Sequence, residues 1–259
     1  MIVINLCLLL PQNHNVSCII MTIAILNIDW VKKYKSKTHI HKIEDCLNTL
    51  NSDILIVTES VDLNLSIYNF IYKTKTLPKD QKYEELDYSK YLNKESAYRV
   101  TIYSKYQSSK SFEVSDPYTS ICNQFETDIG NITIYATIIG TWFKKKPYAE
   151  KELHNCINDC MRIYDQTNSL CLAGDLNTSF KQNEKHLQIS DDTTRRLTDL
   201  CNFCQLDLTT IDIEKNIDHI FLPKYLTSSF KCASSIFVEK DILSDHKGIL
   251  IDIQEQHSS

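Results

Sequence analysis

Short apolar runs that end in an acidic or amide side chain recur along this chain, and they constrain its fold more than any other feature. Apolar runs bounded by turn residues predict strands at residues 22–27, 53–58, 98–104, 119–127, 131–137, 170–173, 217–222, 235–238 and 248–253. Helical spacing of apolar residues predicts helices at residues 39–50, 148–166 and 191–204. Hairpins alternate with strand–helix–strand units, which favours an α/β protein of two packed sheets with helices outside.

The length and composition fit a single globular domain with a small extension at each end. The chain has 259 residues, of which 42% are hydrophobic and 24% charged, enough to bury a large core without disulfides or structural metals. The apolar run at residues 2–10 lacks the positive start and cleavage site of a secretory signal, and it is too short to span a bilayer. We therefore expect an extension at 1–21, a domain at 22–254 and a tail at 255–259.

The net charge limits the partners that the chain can bind. With 28 Lys and Arg against 33 Asp and Glu, the formal net charge is −5. A protein that grips a long duplex by neutralising phosphates is usually basic, whereas an enzyme that holds a few phosphates needs only a local basic rim. The balance disfavours a nucleic-acid scaffold and leaves an enzyme open, with no membrane partner and no obligate protein partner expected.

Cysteine usage indicates a reducing compartment. Several of the ten cysteines fall in predicted buried strands or helices, where free cysteine is a common small core residue. We therefore expect a cytoplasmic protein. A zinc site is the alternative for one group of potential ligands: His154, Cys156, Cys160, Cys201 and Cys204. These residues are loosely spaced on predicted helices, which favours packing in the core over metal binding.

Five motifs place acidic, amide or imidazole side chains close to the ends of separate predicted strands. In chain order they supply Asn27 and Asp29 (LNIDW), Glu59 (DILIVTES), Asp175 and Asn177 (LAGDLNTSF), Asp218 (NIDHIFL), and Asp245 and His246 (LSDHKGIL). Residues two apart on a strand share a face, as in the first and third motifs. Taken singly, Asp or Asn at a strand end is more typical of a turn or cap. Taken together, the five motifs favour one shared site.

The order N-x-D, E, G-D-x-N, D-H-I and S-D-H resembles the endonuclease/exonuclease/phosphatase superfamily, the group built like DNase I. The resemblance covers residues 22–253, and the combination of GDLN with LSDH is specific. It implies a four-layered α/β/β/α sandwich of two mixed β-sheets flanked by helices. It also implies a magnesium-dependent phosphoester hydrolase with one site at the strand ends.

The resemblance implies a metal site on four of these residues. Asn27 and Glu59 match the metal-binding pair of the family, Asp29 lies nearby, and Asp245 matches a further carboxylate of the site. Magnesium prefers oxygen ligands and keeps several waters, so few protein ligands suffice. Manganese is expected to substitute for it.

The resemblance also implies the catalytic roles. Asp175 matches the residue that orients or deprotonates the attacking water, and Asn177 matches the amide that holds a phosphate oxygen. His246 matches the histidine that contacts the scissile phosphate, with Asp218 as its carboxylate partner. Tyr135 fits the tyrosine of the abasic-site endonuclease branch.

One departure from the family pattern bears on substrate binding. The expected His or Asn after the fifth strand falls near Ile138, which cannot hydrogen-bond a phosphate. The next loop carries Trp142, Lys144, Lys145 and Lys146, a combination suited to base stacking and phosphate attraction. A solvated lysine loop is the alternative interpretation of the same residues.

Three functions remain open from the sequence. A nuclease or related phosphodiesterase acting on DNA or RNA is favoured, because of the aromatic residue beside the lysines. A phosphomonoesterase acting on a phosphorylated small molecule or lipid headgroup is the second. A binding module that keeps the fold without turnover is the third, and the intact polar set argues against it.

Overall fold

The computed structural model describes residues 19–29, 37–76, 97–140 and 147–256, which form two mixed sheets with helices on their outer faces. The strands are β1 (Ile19–Asn27), β2 (Ile54–Val61), β3 (Phe70–Lys73), β4 (Ala97–Ser104), β5 (Ser108–Phe112), β6 (Ser120–Thr127), β7 (Gly130–Ile138), β8 (Leu170–Asp175), β9 (Leu206–Leu208), β10 (Asp218–Pro223), β11 (Phe230–Val238) and β12 (Gly248–Glu255). The helices are α1 (Lys37–Leu50), α2 (Tyr148–Thr167), α3 (Asp191–Phe203) and α4 (Lys224–Ser229), with a 3₁₀ helix at Gln182–Leu187.

Each sheet has six strands and one central parallel pair. The first sheet runs β11-β12-β1-β2-β4-β3, and the second runs β5-β6-β7-β8-β10-β9. Strands β1 and β2 are parallel, as are β7 and β8, while β12 runs antiparallel to β1 and β10 runs antiparallel to β8. In the first sheet, the carboxyl ends of β1 and β2 therefore lie at the same edge as the amino end of β12. In the second sheet, the carboxyl ends of β7 and β8 lie at the same edge as the amino end of β10.

Three buried clusters define four layers. One lies between the sheets and contains Ile23, Ile56 and Ile134 among others. A second packs α1 on the outer face of the first sheet, and a third packs α2 and α3 on the outer face of the second. Because both faces of the central strands are covered, these strands are apolar on both sides, as in β1 and β8. The predicted four-layered sandwich of two mixed sheets is confirmed.

Some boundaries differ from those predicted. Strand β1 begins at Ile19 rather than at residue 22, because Met21 is fully buried and pairs with Ile253 of β12. Strands β3, β5 and β9 were not predicted from the sequence. Strand β3 is one edge of the first sheet, and β5 and β9 are the two edges of the second. Residues 1–18 and 257–259 lie outside the described residues.

None of the helices in the described ranges combines the length and the apolar character that crossing a membrane requires.

Candidate active site

The sheet topology gathers the predicted polar residues at one edge of the sandwich. Asn27 ends β1 and Asp175 ends β8, each as the last residue of a strand in a parallel pair. Asp218 begins β10 directly opposite Asp175, because β10 runs antiparallel to β8. His246 precedes β12, which runs antiparallel to β1. Motifs far apart in the sequence therefore reach one place.

A hydrogen bond between side chains joins the two sheets at this edge. The Asn27 amide donates from Nδ2 to Oδ2 of Asp175 at 2.9 Å, across 148 residues of sequence. Its Oδ1 accepts the backbone N–H of Asp29 at 2.7 Å. Both Asn27 and Asp29 are buried, and Asp29 has the left-handed φ of 46° that Asp tolerates better than most residues. Asn27 thus holds the backbone at Asp29 and orients Asp175 at the same time.

Glu59 lies on β2 beside Arg99, a residue that none of the sequence motifs includes. The φ of Glu59 is 47°, a left-handed conformation rare in a strand. The Glu59 Oε1 atom is 3.7 Å from Nη2 of Arg99 on β4, an ion-pair distance. The Arg99 side chain is only 6% exposed, against 20% for Glu59. A charged residue inside the apolar run of β4 was the available signal, because buried arginine is rare unless it is paired.

Asp175 is held in place by a backbone that only glycine permits. Gly174 has a φ of 155°, and a Cβ there would lie 1.8 Å from the carbonyl oxygen of Thr137 on β7. This close approach brings Asp175 to the sheet edge, where its Oδ1 accepts the backbone N–H of Asn177 at 3.0 Å. The Asn177 amide in turn donates to the Ile139 carbonyl at 2.9 Å. The GDLN motif therefore forms one hydrogen-bonded turn.

Asp218 and His246 are in direct contact, as predicted. Nδ1 of His246 is 2.6 Å from Oδ2 of Asp218, and Asp218 is almost fully buried. The other ring nitrogen, Nε2, is 3.8 Å from Oδ1 of Asp245. The backbone N–H of His246 donates to the Ser244 hydroxyl at 3.3 Å. The ring is therefore oriented by a buried carboxylate on one side and faces the more exposed Asp245 on the other.

Burial and mutual charge shift two pKa values at this edge. Burial, together with the carboxylates of Asp218 and Glu59 and against the opposing charge of His246, raises the pKa of Asp175 to about 7. Burial alone would lower the pKa of His246, but Asp218, with additional contributions from Asp175 and Asp245, raises it to about 10. At neutral pH the imidazole is therefore charged, while Asp175 is poised between its two forms.

The donor set suits a cation. Polar atoms of Asp175, Asp218 and His246 lie within 4.8 Å of one another, the one such group among the residues that the structure describes, and the two carboxylates are its metal-ligating members because a charged imidazole has no free lone pair. Oδ1 of Asp218 is buried and has no hydrogen-bond partner. An unsatisfied buried carboxylate oxygen is costly unless a cation or an unseen donor meets it. The carboxylates of Asp29, Glu59 and Asp245 add further oxygen donors.

The prediction of a catalytic Tyr135 is wrong. Tyr135 alternates with Ile134 and Ala136 along β7, and those two residues face the other sheet. Its own side chain therefore lies on the outer face, in the cluster that packs against α2 and α3. There its hydroxyl donates to the buried carboxylate of Asp159 on α2 at 3.2 Å.

The remaining expectations have different outcomes. Ile138 is fully buried at the end of β7, so it supplies no phosphate contact. Trp142, Lys144, Lys145 and Lys146 lie outside the described residues. The cysteines weighed as zinc ligands, Cys156, Cys160, Cys201 and Cys204, pack in the core beneath α2 and α3. His154 is exposed and contacts Asn158 instead.

Comparisons with solved structures identify the fold. The 3′-5′ exonuclease NExo from Neisseria meningitidis is 13% identical over 90% of this chain and 100% of that chain, with a TM-score of 0.61. An endonuclease/exonuclease/phosphatase protein from Beutenbergia cavernae is 13% identical over 92% and 72%, with a TM-score of 0.61. A sphingomyelinase C from Streptomyces griseocarneus is 11% identical over 90% and 99%, with a TM-score of 0.59.

No protein-family model matches the sequence, and a comparison with curated protein sequences finds no match. The chain has the fold of the endonuclease/exonuclease/phosphatase superfamily, as its motifs predict.

Proposed function

We propose that this chain is a divalent-metal-dependent phosphodiester hydrolase that cleaves nucleic acid. The observation that carries the proposal is the hydrogen bond from the Asn27 amide to the Asp175 carboxylate. It joins the polar ends of the two sheets beside the Asp218–His246 pair. A 3′-5′ exonuclease and a sphingomyelinase C share the fold, which supports phosphoester chemistry at this edge. A site of carboxylates, amides and one imidazolium has the residue types that such chemistry requires.

The residues that would hold the metal ion are Asn27, Asp29, Glu59 and Asp245, with Asp175 hydrogen-bonded to Asn27 beside them. Their oxygen donors suit Mg²⁺, and Mn²⁺ should substitute because it accepts the same ligands. The orphaned Oδ1 of Asp218 supports this fit, since a nearby cation would offset its burial. When bound, a divalent cation supplies positive charge to the phosphoryl oxygens and to the leaving oxygen.

His246 would contact the scissile phosphate through Nε2. Its Nδ1–H is held by Asp218 at 2.6 Å, so the other N–H is the one available to a phosphate oxygen. The pKa of about 10 keeps the ring charged at neutral pH, because Asp218, Asp175 and Asp245 outweigh its burial. A charged donor binds an anionic oxygen more strongly than a neutral one does.

Asp175 and Asn177 would act on the water and on the phosphate. A carboxyl whose pKa is about 7 can take a proton from an attacking water at neutral pH, and a nearby cation would favour its ionised form. The Asn177 amide uses one N–H on the Ile139 carbonyl and carries a second that can donate to a phosphate oxygen.

Nucleic acid is the proposed substrate because of the sequence of residues 141–146, which follow β7 and lie outside the described residues. Trp142 can stack on a base, and Lys144–Lys146 can neutralise successive phosphates. The net charge of −5 makes such a local basic segment the main attraction for a polyanion.

A substrate panel tests the proposal. Single-stranded DNA, duplex DNA, RNA, sphingomyelin vesicles and small phosphomonoesters are each incubated with Mg²⁺ or with EDTA. We expect cleavage of a polynucleotide that requires the metal and is lost in Asp175→Asn. Asp128→Asn is the matched control, because Asp128 is exposed in the turn at the opposite end of β6 and β7. Release of inorganic phosphate from a monoester, with DNA and RNA uncut, would contradict the proposal and favour the phosphomonoesterase hypothesis.

The contribution of Lys144–Lys146 is tested separately by the salt dependence of polynucleotide binding. Each neutralised phosphate contributes a slope of up to about −0.9 in log affinity against log salt. Replacing Lys144–Lys146 by alanine should raise KM for polynucleotide and flatten that slope, with turnover of a minimal diester retained. Lys231→Ala, on the edge strand β11, is the matched control. An unchanged salt slope would mean that these three lysines do not contact the substrate.

A further inference from the structure

A buried arginine, Arg99, lies beside Glu59, one of the carboxylates of the proposed metal site. The Arg99 side chain is 6% exposed, and its Nη2 lies 3.7 Å from Oε1 of Glu59, which is 20% exposed. Glu59 is therefore the outer member of the pair and Arg99 the inner one. Guanidinium keeps its charge even when buried, so the pair brings a permanent cation to an edge rich in carboxylates.

The register of the first sheet brings the two residues to the same level of neighbouring strands. Thr58 pairs with Val100 and Ser60 pairs with Tyr98, so Glu59 and Arg99 lie between these two pairs, where the β2–β4 ladder is interrupted. Their contact is therefore set by the strands rather than by a loop. Two rigid elements restrict the arginine to a small set of positions, as a residue that orients a ligand requires.

The backbone of Glu59 gives a second reason for an orienting partner. Its φ of 47° interrupts the regular strand geometry, and a long side chain rarely adopts this conformation unless its surroundings demand it. The turn of the backbone moves the Glu59 side chain from its regular strand position. Arg99 therefore contacts a carboxylate whose backbone departs from the regular geometry of its strand.

We propose that Arg99 is a positioning residue for Glu59, holding one carboxylate oxygen so that the other is presented to the metal ion. The inference rests on the proposed metal-dependent function and assigns a residue outside the set that the sequence motifs supplied. Carboxylates that bind metals are commonly held by a second hydrogen-bonding or charged group, and loss of such a partner weakens metal binding by about 10–100-fold.

Whether removal of Arg99 weakens or tightens metal binding distinguishes a positioning role from a purely electrostatic one. An arginine that acted only through its charge would repel the cation, so its removal would tighten metal binding. An arginine that orients Glu59 stabilises the bound state, so its removal weakens metal binding. An arginine that only stabilises the fold leaves the affinity unchanged and lowers the melting temperature.

The test is calorimetric titration of the full chain with Mn²⁺ in the absence of substrate. Arg99→Gln should raise the Kd by about tenfold or more, and Arg99→Lys, which keeps the charge but loses the planar fork, should fall in between. Glu59→Gln should also weaken binding, and adding Arg99→Gln to it should have little further effect, because the two act as one unit. Arg162→Gln is the matched control, since Arg162 pairs with the buried Asp159 on α2, outside the site.

The outcomes distinguish this inference from the proposed function. If the wild-type chain binds no Mn²⁺, both fail. If the wild-type chain binds Mn²⁺ and folded Arg99→Gln binds it equally or more tightly, the role of Arg99 alone is overturned. Should Arg99→Gln not fold, Arg99→Lys decides, and an affinity equal to that of the wild type then overturns the inference.

Discussion

Asp175 should make the metal-free protein less stable as the pH rises, and Asp175→Asn should remove that loss. Burial, with the carboxylates of Asp218 and Glu59, raises the pKa of Asp175 from 3.8 to about 7. Between these values the folded state keeps a proton that the unfolded state has released, so stability falls by about 1.4 kcal/mol per pH unit. The stabilising contribution is thus present at acidic pH and lost as the pH rises through the pKa of the folded state.

The magnitude follows from this pH interval. From pH 5 to pH 7 the wild-type chain should lose about 2 kcal/mol through Asp175, because its proton is already half released at pH 7, whereas asparagine has no proton to release. The substitution also removes an acceptor from Asn27 or from the Asn177 N–H, at a cost of about 1 kcal/mol at either pH. We therefore expect Asp175→Asn to be close to the wild type in stability at pH 5 and about 2–3 kcal/mol more stable at pH 8, by the same linkage.

The assay is urea unfolding in EDTA at pH 5 and at pH 8, because a bound cation would itself lower the pKa of the carboxyl. His246 remains charged throughout this range, since Asp218, Asp175 and Asp245 raise its pKa to about 10 against the effect of burial. A stability difference between variant and wild type that is the same at both pH values would refute the reasoning.

Three further changes follow from the same structure. Asp218→Ala and His246→Ala should be non-additive in turnover because the side chains touch at 2.6 Å, and a double variant that shows the product of the two losses would contradict this. Gly174→Ala should abolish soluble folded protein, since its Cβ would lie 1.8 Å from a backbone oxygen, and a wild-type melting temperature would disprove that contact. Deleting residues 1–21 should cost about 2–5 kcal/mol of stability through the lost burial of Met21, and an unchanged melting temperature would show that this end of β1 is dispensable.

The convergence of the polar residues could be predicted because strand ends carry them. Asn27 and Asp175 are the last residues of strands that are apolar on both faces, and each strand belongs to the parallel pair of its own sheet. Parallel strands present their carboxyl ends at one edge, so within each sheet the residues at these ends are brought to the same edge. The contact between Asp218 and His246 followed from the resemblance to a known family, since 28 residues separate the two in sequence.

Edge strands were missed for a physical reason. Strand β5 reads SSKSF and β9 reads LDL, and neither shows a run of β-branched or aromatic residues. An edge strand pairs on one side only and keeps polar, exposed residues, so its own composition does not distinguish it from a loop. Such strands form because a central neighbour offers hydrogen bonds, which depends on tertiary structure.

Tyr135 and Arg99 show two different limits of sequence reasoning. The alternation along β7, in which Ile134 and Ala136 face the other sheet, already assigns Tyr135 to the outer face, and the family resemblance overrode that signal. The pairing of Arg99 with Glu59 depends on the antiparallel register of β2 and β4, across the polar stretch between them. No local pattern encodes that register.

The most direct test of the central claim is the rate at which the chain hydrolyses a minimal phosphodiester, bis(p-nitrophenyl) phosphate, in saturating Mg²⁺. We predict p-nitrophenolate release by the wild type that EDTA abolishes. Asp175→Asn should lower that rate by about 10²–10⁴-fold, the usual contribution of a general base, with folding intact. Wild-type turnover in Asp175→Asn, or full turnover in EDTA, would contradict metal-dependent phosphodiester hydrolysis at this site.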